Sequence, residues 1–320
     1  MKVVIFTGGT GGTKLVQGFQ RLVAPEDLSA VVNTGDDIDW WGLHVSPDID
    51  SVLYGLAGLL SVERGWGLSD ESFRCLERMK QLGQPAWFSL GDLDLATHLT
   101  RTSLLRQGRS LTEATAELAA RMGIEVRVLP MSDERVSTML ETEKGRLSFQ
   151  EYFVRERHSV NVSRVEFLGA DDARPAPGLL EAIAAADAIV FAPSNPVTSI
   201  GPILAVPGIR EALRQAKASV AAVSPIIGGA AVSGPAAALM RMQGLPSTIG
   251  GIAQAYEDIL DVLIADERDR AAAESLRGEK LKLVCGNTLM LSMEDKVGLA
   301  WLVLESASLG PSLAKEVRSG

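Results

Sequence analysis

Along most of this chain, short apolar runs alternate with stretches in which apolar positions recur every three or four residues. Residues 3–6, 30–32, 124–129, 188–192, 219–223 and 260–265 are short and largely apolar, and 188–192 is apolar on both faces, which predicts strands of a covered parallel sheet. The segments 51–60, 70–82, 99–107, 111–122, 179–186 and 209–216 keep helical spacing between them. Their alternation predicts an α/β fold, a Rossmann-like, doubly wound and mostly parallel sheet in a single domain over residues 1–320. The rhythm breaks at about 130–175. There, 138–142 and 146–154 read as a hairpin turned at Lys144-Gly145, and 160–168 adds a further strand, so an inserted antiparallel, β-rich subdomain is expected.

Chemistry collects where strands end. The first strand runs into Gly8-Gly9-Thr10-Gly11-Gly12-Thr13-Lys14, followed by helical spacing of Leu15, Phe19 and Leu22. Glycine backbone approaches phosphate oxygens closely, and helix-start amides point at them, so Gly11, Gly12, Thr13 and Lys14 are candidate phosphate contacts. The spacing fits neither common nucleotide fingerprint, because Thr13 stands where a glycine should precede Lys14, and Lys14 where a third glycine should fall. The second strand delivers residues 33–50, NTGDDIDWWGLHVSPDID, with Asp36, Asp37, Asp39, Asp48 and Asp50 among Trp40, Trp41 and Leu43. A solvated acidic turn explains most charge clusters, and a capping role explains Asp48 or Asp50 before the following helix. Bulky apolar residues favour a built site instead, and crowded carboxylates suit Mg²⁺. Both loops belong to the carboxyl edge of the predicted sheet, where ligands of such folds bind.

Further loops fit the same edge. Leu90 to His98 reads LGDLDLATH; Asp92 and Asp94 suit caps, and His98 shares a helical face with Arg101. The strand at 188–192 enters a Pro-, Ser- and Asn-rich loop whose Ser194, Asn195, Thr198, Ser199 and Gly201 suit a phosphate surround. The related loop 224–235 has an apolar centre fit to wall a ring, and the basic Arg155, Arg157, His158 and Arg164 of the insert read mainly as surface residues. Residues 266–269 read as a solvated turn or ion-pair patch, followed by a helical tail.

Composition narrows the class. Of 320 residues, 46% are hydrophobic and 22% charged, an ordinary globular balance. A net charge of -9 argues against nucleic acid or an anionic membrane as partner. Cys75 and Cys285 lack partners at metal-ligand spacing, so neither a disulfide framework nor a zinc site is expected. The first apolar run is too short for a signal core or a membrane span, which points to the cytoplasm.

Taken together, residues 8–14, 31–37, 42–54, 90–98, 129–133, 192–204 and 224–236 resemble, in order, the 2-phospho-L-lactate transferase family of coenzyme F420 biosynthesis. The resemblance implies transfer of a 2-phospholactyl, phosphoenolpyruvyl or phosphoglyceryl group from a guanosine diphosphate conjugate to the ribityl hydroxyl of 7,8-didemethyl-8-hydroxy-5-deazariboflavin, with GMP released, Mg²⁺ assisting and a homodimer acting. It implies Asp36, Asp50 and Asp37 at the metal, Asp50 and Asp36 in catalysis, the glycine loop and the 194–201 loop on the nucleotide. The deazaflavin is expected near Asp50, Ser89, Leu90, Gly91, Asp92 and Trp41. The chain departs from the pattern at Leu93, where an arginine is expected. Two other readings are a non-catalytic nucleotide-sugar-binding regulator and a nicotinamide dehydrogenase; the second fails because Gly35 stands where a ribose-gripping acid should close the second strand.

Overall fold

The chain was analysed as a computed structural model that describes residues 1–232, 234–276 and 281–308. In chain order the strands are β1 (Val3–Thr7), β2 (Leu28–Val32), β3 (Ile38–Trp40), β4 (Leu43–Val45), β5 (Arg127–Pro130), β6 (Ser137–Thr142), β7 (Gly145–Ser148), β8 (Val162–Leu168), β9 (Ala188–Phe191), β10 (Ser219–Val223), β11 (Ile226–Ile227), β12 (Ala230–Ala231), β13 (Val262–Asp266) and β14 (Lys282–Gly286). Seven of them make one sheet in the order β14-β13-β10-β9-β1-β2-β5, with every pairing parallel.

Side-chain alternation along the central strand explains why both faces are covered. Val4 and Phe6 enter one core while Val3 and Ile5 enter the other, and each core packs under its own helices. The α/β doubly wound fold read from the sequence is therefore the observed one. From β1 the chain winds outward through β2 and β5, then returns to β9 on the other side of β1. The direction of winding reverses between β1 and β9, and the crevice beyond their carboxyl ends is where this topology places a ligand.

Helices α1 (Gly9–Phe19) and α2 (Pro47–Leu56) border that crevice, α4 (Asp92–Arg106) reaches α2 through Arg101, and α3 (Arg74–Gln81) packs on α4. Helix α1 starts inside the glycine run, so the expected phosphate loop is the first turns of a helix. Glycine there is a packing requirement. A Cβ on Gly12 would lie 1.8 Å from Thr7 Oγ1, and one on Gly11 would lie 2.9 Å from the Pro193 carbonyl.

Three more departures have physical causes. The acidic stretch forms a β3–β4 hairpin, turned by Trp41 and Gly42 with φ of 54° and 76°, the left-handed pair of a tight hairpin turn. The strand expected over 146–154 stops at Ser148, because Glu151 takes up the Ser148 N–H and hydroxyl and winds Glu151–Arg155 into a π-helical turn. The expected helical tail contains an edge strand, β14, before the last helix, Met293–Ser308. Strands β7, β6 and β8 form a separate antiparallel sheet that overhangs the carboxyl edge. Among the described residues no helix is long and apolar enough to cross a membrane.

Candidate active site

The loops after β1 and β9 are tied together across the switch point. Ser194 Oγ accepts from the Gly8 N–H at 3.2 Å and donates to the Gly8 carbonyl at 2.7 Å. Asn195 caps the turn that follows by accepting from the Val197 N–H. Thr198 is fully buried with its hydroxyl unpartnered, and its carbonyl accepts from Asn33 Nδ2. Ser199 sits so close to Gly8 that a Cβ on Gly8 would meet the Ser199 Cβ at 2.7 Å, and a Cβ on Gly201 would lie 3.0 Å from Phe167 Cζ. Thr13 is the exception among these candidates. Its hydroxyl donates to the Gly9 carbonyl and its methyl packs against Gly55 of α2, so it is an interior strut and not a phosphate contact. Lys14, half-buried one residue on, pairs with no carboxylate among the described residues.

Facing these loops is a nest of buried acids. Asp48, in the first turn of α2, accepts from the Gly9 N–H at 2.7 Å and from Asn33 Nδ2 at 3.0 Å. Burial nevertheless raises its carboxyl to about 6. Asp36 is raised well above the ordinary carboxylate range, by burial first and by the Asp48 charge second. Asp37 is also raised by burial, against the opposing hydrogen bonds of His44 and Ser46 to its Oδ2. Oδ1 of Asp36 and Oδ1 of Asp37 are buried without a hydrogen-bond partner. Among the described residues no lysine or arginine pairs with Asp36 or Asp48. Buried like charges with unpartnered oxygens are destabilising unless a cation joins them, and hard oxygen donors of this kind suit Mg²⁺. Asp36 and Asp48, with Asp37 beside them, are carboxylates that could hold such a metal.

Asp50 lies two residues further along α2, about half a turn on, and has a different partner. The Arg101 guanidinium of α4, itself fully buried, grips both oxygens of Asp50. Burial works against the Arg101 charge, but Asp50 more than offsets it and raises the guanidinium further. His98 joins the pair, with Nδ1 3.5 Å from Asp50 Oδ2 and Nε2 3.3 Å from Asp94 Oδ1. Tyr54 donates to Asp94 at 2.5 Å. Asp50, Asp94 and His98 offer atoms close enough to hold an ion. Arg101 already neutralises part of that corner, so the Asp50 corner and the Asp36–Asp48 pair are two places where an ion could be held. The sequence pointed to His98 and Arg101 as one helical face, but nothing local tied them to Asp50.

The residues expected at the deazaflavin divide in two. Asp92 accepts from Ser72 Oγ and from the backbone N–H groups of Arg74 and Cys75, which caps α3. In return Glu71 accepts from the Leu93 and Asp94 N–H groups and caps α4. Asp92 is therefore a structural residue, and Gly91 leaves room for the second cap, since a Cβ there would lie 1.9 Å from Glu71 Cδ. Gly91→Ala is expected to displace Glu71 and cost about 1 kcal/mol, the usual value of a lost cap, measured by urea denaturation. Leu90 is buried with Trp40 and Leu95 in a small aromatic core, against which Trp41, Trp87 and Phe88 pack. Ser89 and Trp41 remain half-buried beside it, and Leu93 is half exposed, away from the acids.

Thr138 of β6 and Gln150, just after β7, complete the nest and left no trace in the sequence. The Thr138 N–H donates to the Gly35 carbonyl at 2.7 Å, and Gln150 Nε2 donates to the Asp36 carbonyl at 3.2 Å. Between this sheet and the acids lies a cavity of about 110 Å³, lined by Asp36, Asp37, Thr138, Phe149 and Gln150 among others.

A family model described as 2-phospho-L-lactate transferase CofD matches residues 3–291. The chain is 42% identical over 304 residues to a 2-phospho-L-lactate transferase of Methanosarcina mazei, covering 95% of this chain and 100% of that one. It is also 42% identical over 325 residues to a phosphoenolpyruvate transferase of Streptomyces griseus, with both chains covered completely. Among solved structures, a member of the UPF0052 family from Bacillus halodurans superposes with a TM-score of 0.60 at 20% identity, covering 95% of this chain and 98% of the other, which is a likeness of fold.

Proposed function

Because the chain belongs to the 2-phospho-L-lactate transferase CofD family, a family of transferase enzymes, we propose that it moves a phosphorylated three-carbon acid from a guanosine diphosphate conjugate to the ribityl hydroxyl of 7,8-didemethyl-8-hydroxy-5-deazariboflavin, releasing GMP. The observation that carries this reading is the buried Asp36–Asp48 pair with unpartnered oxygen, set at the switch point against the Gly8–Ser194 tie. The reading also takes the enzyme as a cytoplasmic homodimer, following the family resemblance.

In the reaction, the hydroxyl oxygen attacks the phosphorus that bears the three-carbon acid. The bond from that phosphorus to the GMP oxygen breaks, and the hydroxyl proton leaves. Mg²⁺ held by Asp36 and Asp48 would neutralise charge on the diphosphate. Around it, Lys14 supplies a cation at the glycine helix, and Ser194, Asn195, Ser199 and the backbone of Gly11, Gly12 and Gly201 shape the nucleotide side. Asp50, held in a fixed orientation by Arg101, orients the attacking hydroxyl and accepts its proton. Transfer of this kind depends mainly on alignment and charge compensation, which a rigid buried network supplies.

The test is incubation of the protein with the deazaflavin, Mg²⁺ and, separately, the lactyl, enolpyruvyl and glyceryl guanosine diphosphate conjugates, with mass detection. A phosphodiester product carrying one of the three acids, together with GMP, is expected. No product from any of them, with uridine diphosphate sugars bound instead, would replace the enzyme by a non-catalytic nucleotide-sugar-binding regulator.

A further inference from the structure

Helices α2 and α4 meet through polar side chains where an apolar seam would be the ordinary packing. Asp50 and Tyr54 stand four residues apart on α2, and Asp94, His98 and Arg101 follow one another at intervals of four and three on α4, so each set forms one stripe along its helix. All five side chains are buried, Arg101 completely. Apolar packing of the same volume is often at least as stable as a buried network of this kind, so stability alone does not account for it. Its hydrogen bonds, followed atom by atom, run in one direction. Arginine N–H groups only donate, and Nη1 of Arg101 faces both Asp50 Oδ2 at 3.2 Å and His98 Nδ1 at 3.4 Å. Nδ1 is therefore the ring nitrogen with the free lone pair. The ring hydrogen then sits on Nε2, 3.3 Å from Asp94 Oδ1, and the same oxygen accepts from the Tyr54 hydroxyl at 2.5 Å.

We propose that His98 is a positioning residue for the transfer, an inference that rests on the transfer reading above: fixed by Asp94 and Tyr54 as the Nε2–H tautomer, it holds Arg101 in the plane in which the guanidinium grips both oxygens of Asp50. Among the described residues that guanidinium hydrogen-bonds only Asp50 and His98, and its Nε is buried without a partner. His98 is thus the one side chain besides Asp50 that sets the tilt of the guanidinium. The opposite tautomer would set a ring N–H against the Arg101 N–H and push the guanidinium off the carboxylate. Asp94 prevents this by offering Nε2 an acceptor, and the Tyr54 hydroxyl, reaching across from α2, keeps that acceptor in place. The chain of bonds therefore starts and ends on α2, at Tyr54 and at Asp50, and passes through α4 between them. Asp50 acts on the attacking hydroxyl only in the direction this loop of contacts gives it, and alignment is where such a transfer gains most of its rate.

The experiment has two arms, both on the full chain. Nitrogen NMR of histidine-labelled protein reads the tautomer of His98, one of three histidines, assigned by its loss in His98→Asn. The Nε2–H form is expected in wild type and a mixture of tautomers in Asp94→Leu. Steady-state kinetics reads the consequence. His98→Leu should lower kcat about tenfold to hundredfold and leave KM for donor and acceptor within about twofold of wild type, because alignment and not binding is lost. His98→Asn, whose amide oxygen reaches the place of Nδ1 and accepts from Arg101, should return kcat to within about threefold of wild type. A merely structural role would lose folded protein and show neither the split nor the recovery. An Nδ1–H or doubly protonated His98 in wild type, wild-type kcat in His98→Leu, or a loss that His98→Asn does not recover overturns the assignment. The NMR arm requires no turnover, so a wild type that shows the Nε2–H form, with the mixture in Asp94→Leu, and yet transfers nothing would refute the transfer reading alone.

Discussion

Asparagine in place of Asp36 should lower transfer by at least about a thousandfold and yet raise the melting temperature of the metal-free protein. The two effects have one cause. Without metal, Asp36 and Asp48 are two buried acids whose charged forms are disfavoured by burial and by each other. An amide of the same shape removes that repulsion, whereas a diphosphate-bound metal loses a ligand whose contribution to the transition state is several kcal/mol. A general loss of packing would reduce activity and stability together. The opposite movement of the two quantities is what separates a functional acid from a structural one.

Methionine in place of Arg101 should produce the largest loss of stability, about 3–5 kcal/mol, because it leaves Asp50 buried and unpaired. Denaturant titration measures it. Adding Asp50→Asn to Arg101→Met should recover much of the loss, since the uncompensated charge is then gone; an Arg101→Met cost below about 1 kcal/mol would show that the pair holds nothing in place. The same contact makes Asp50→Asn alone a poor probe of catalysis, because it strands the guanidinium instead.

The main sheet was legible because central parallel strands must be apolar on both faces, and residues 188–192 can be read as little else. The acid nest was legible for a related reason, since aspartates interleaved with tryptophans do not belong to a wet loop. What stayed hidden depends on distant partners. Glycine is a weak helix former, so nothing local announces that α1 starts at Gly9; the close approach of Pro193 and Thr7 requires it. Arg101 meets Asp50 across 51 positions of sequence. Thr138 and Gln150 reach the acid turn from β6 and from the segment just after β7, whose pattern speaks only of hairpins. Asp92 misled because a carboxylate that caps a neighbouring helix looks, in sequence, like one that waits for a ligand.

The acid pair also has a pH signature with a definite sign. Asp48 releases its proton near 3.8 when unfolded and at about 6 when folded, and Asp36 shifts the same way. The stability that protonated Asp48 contributes is therefore full below about pH 4 and is lost as pH rises through about 6, and that of Asp36 changes in the same sense. Calorimetric titration of Mg²⁺ into the full chain with GMP present, at pH 5 and at pH 7.5, tests this most directly. Saturable binding at pH 7.5 that weakens at pH 5 and disappears in Asp36→Asn is the predicted result; binding that is absent at both pH values, or that survives the Asp36→Asn change, would contradict it.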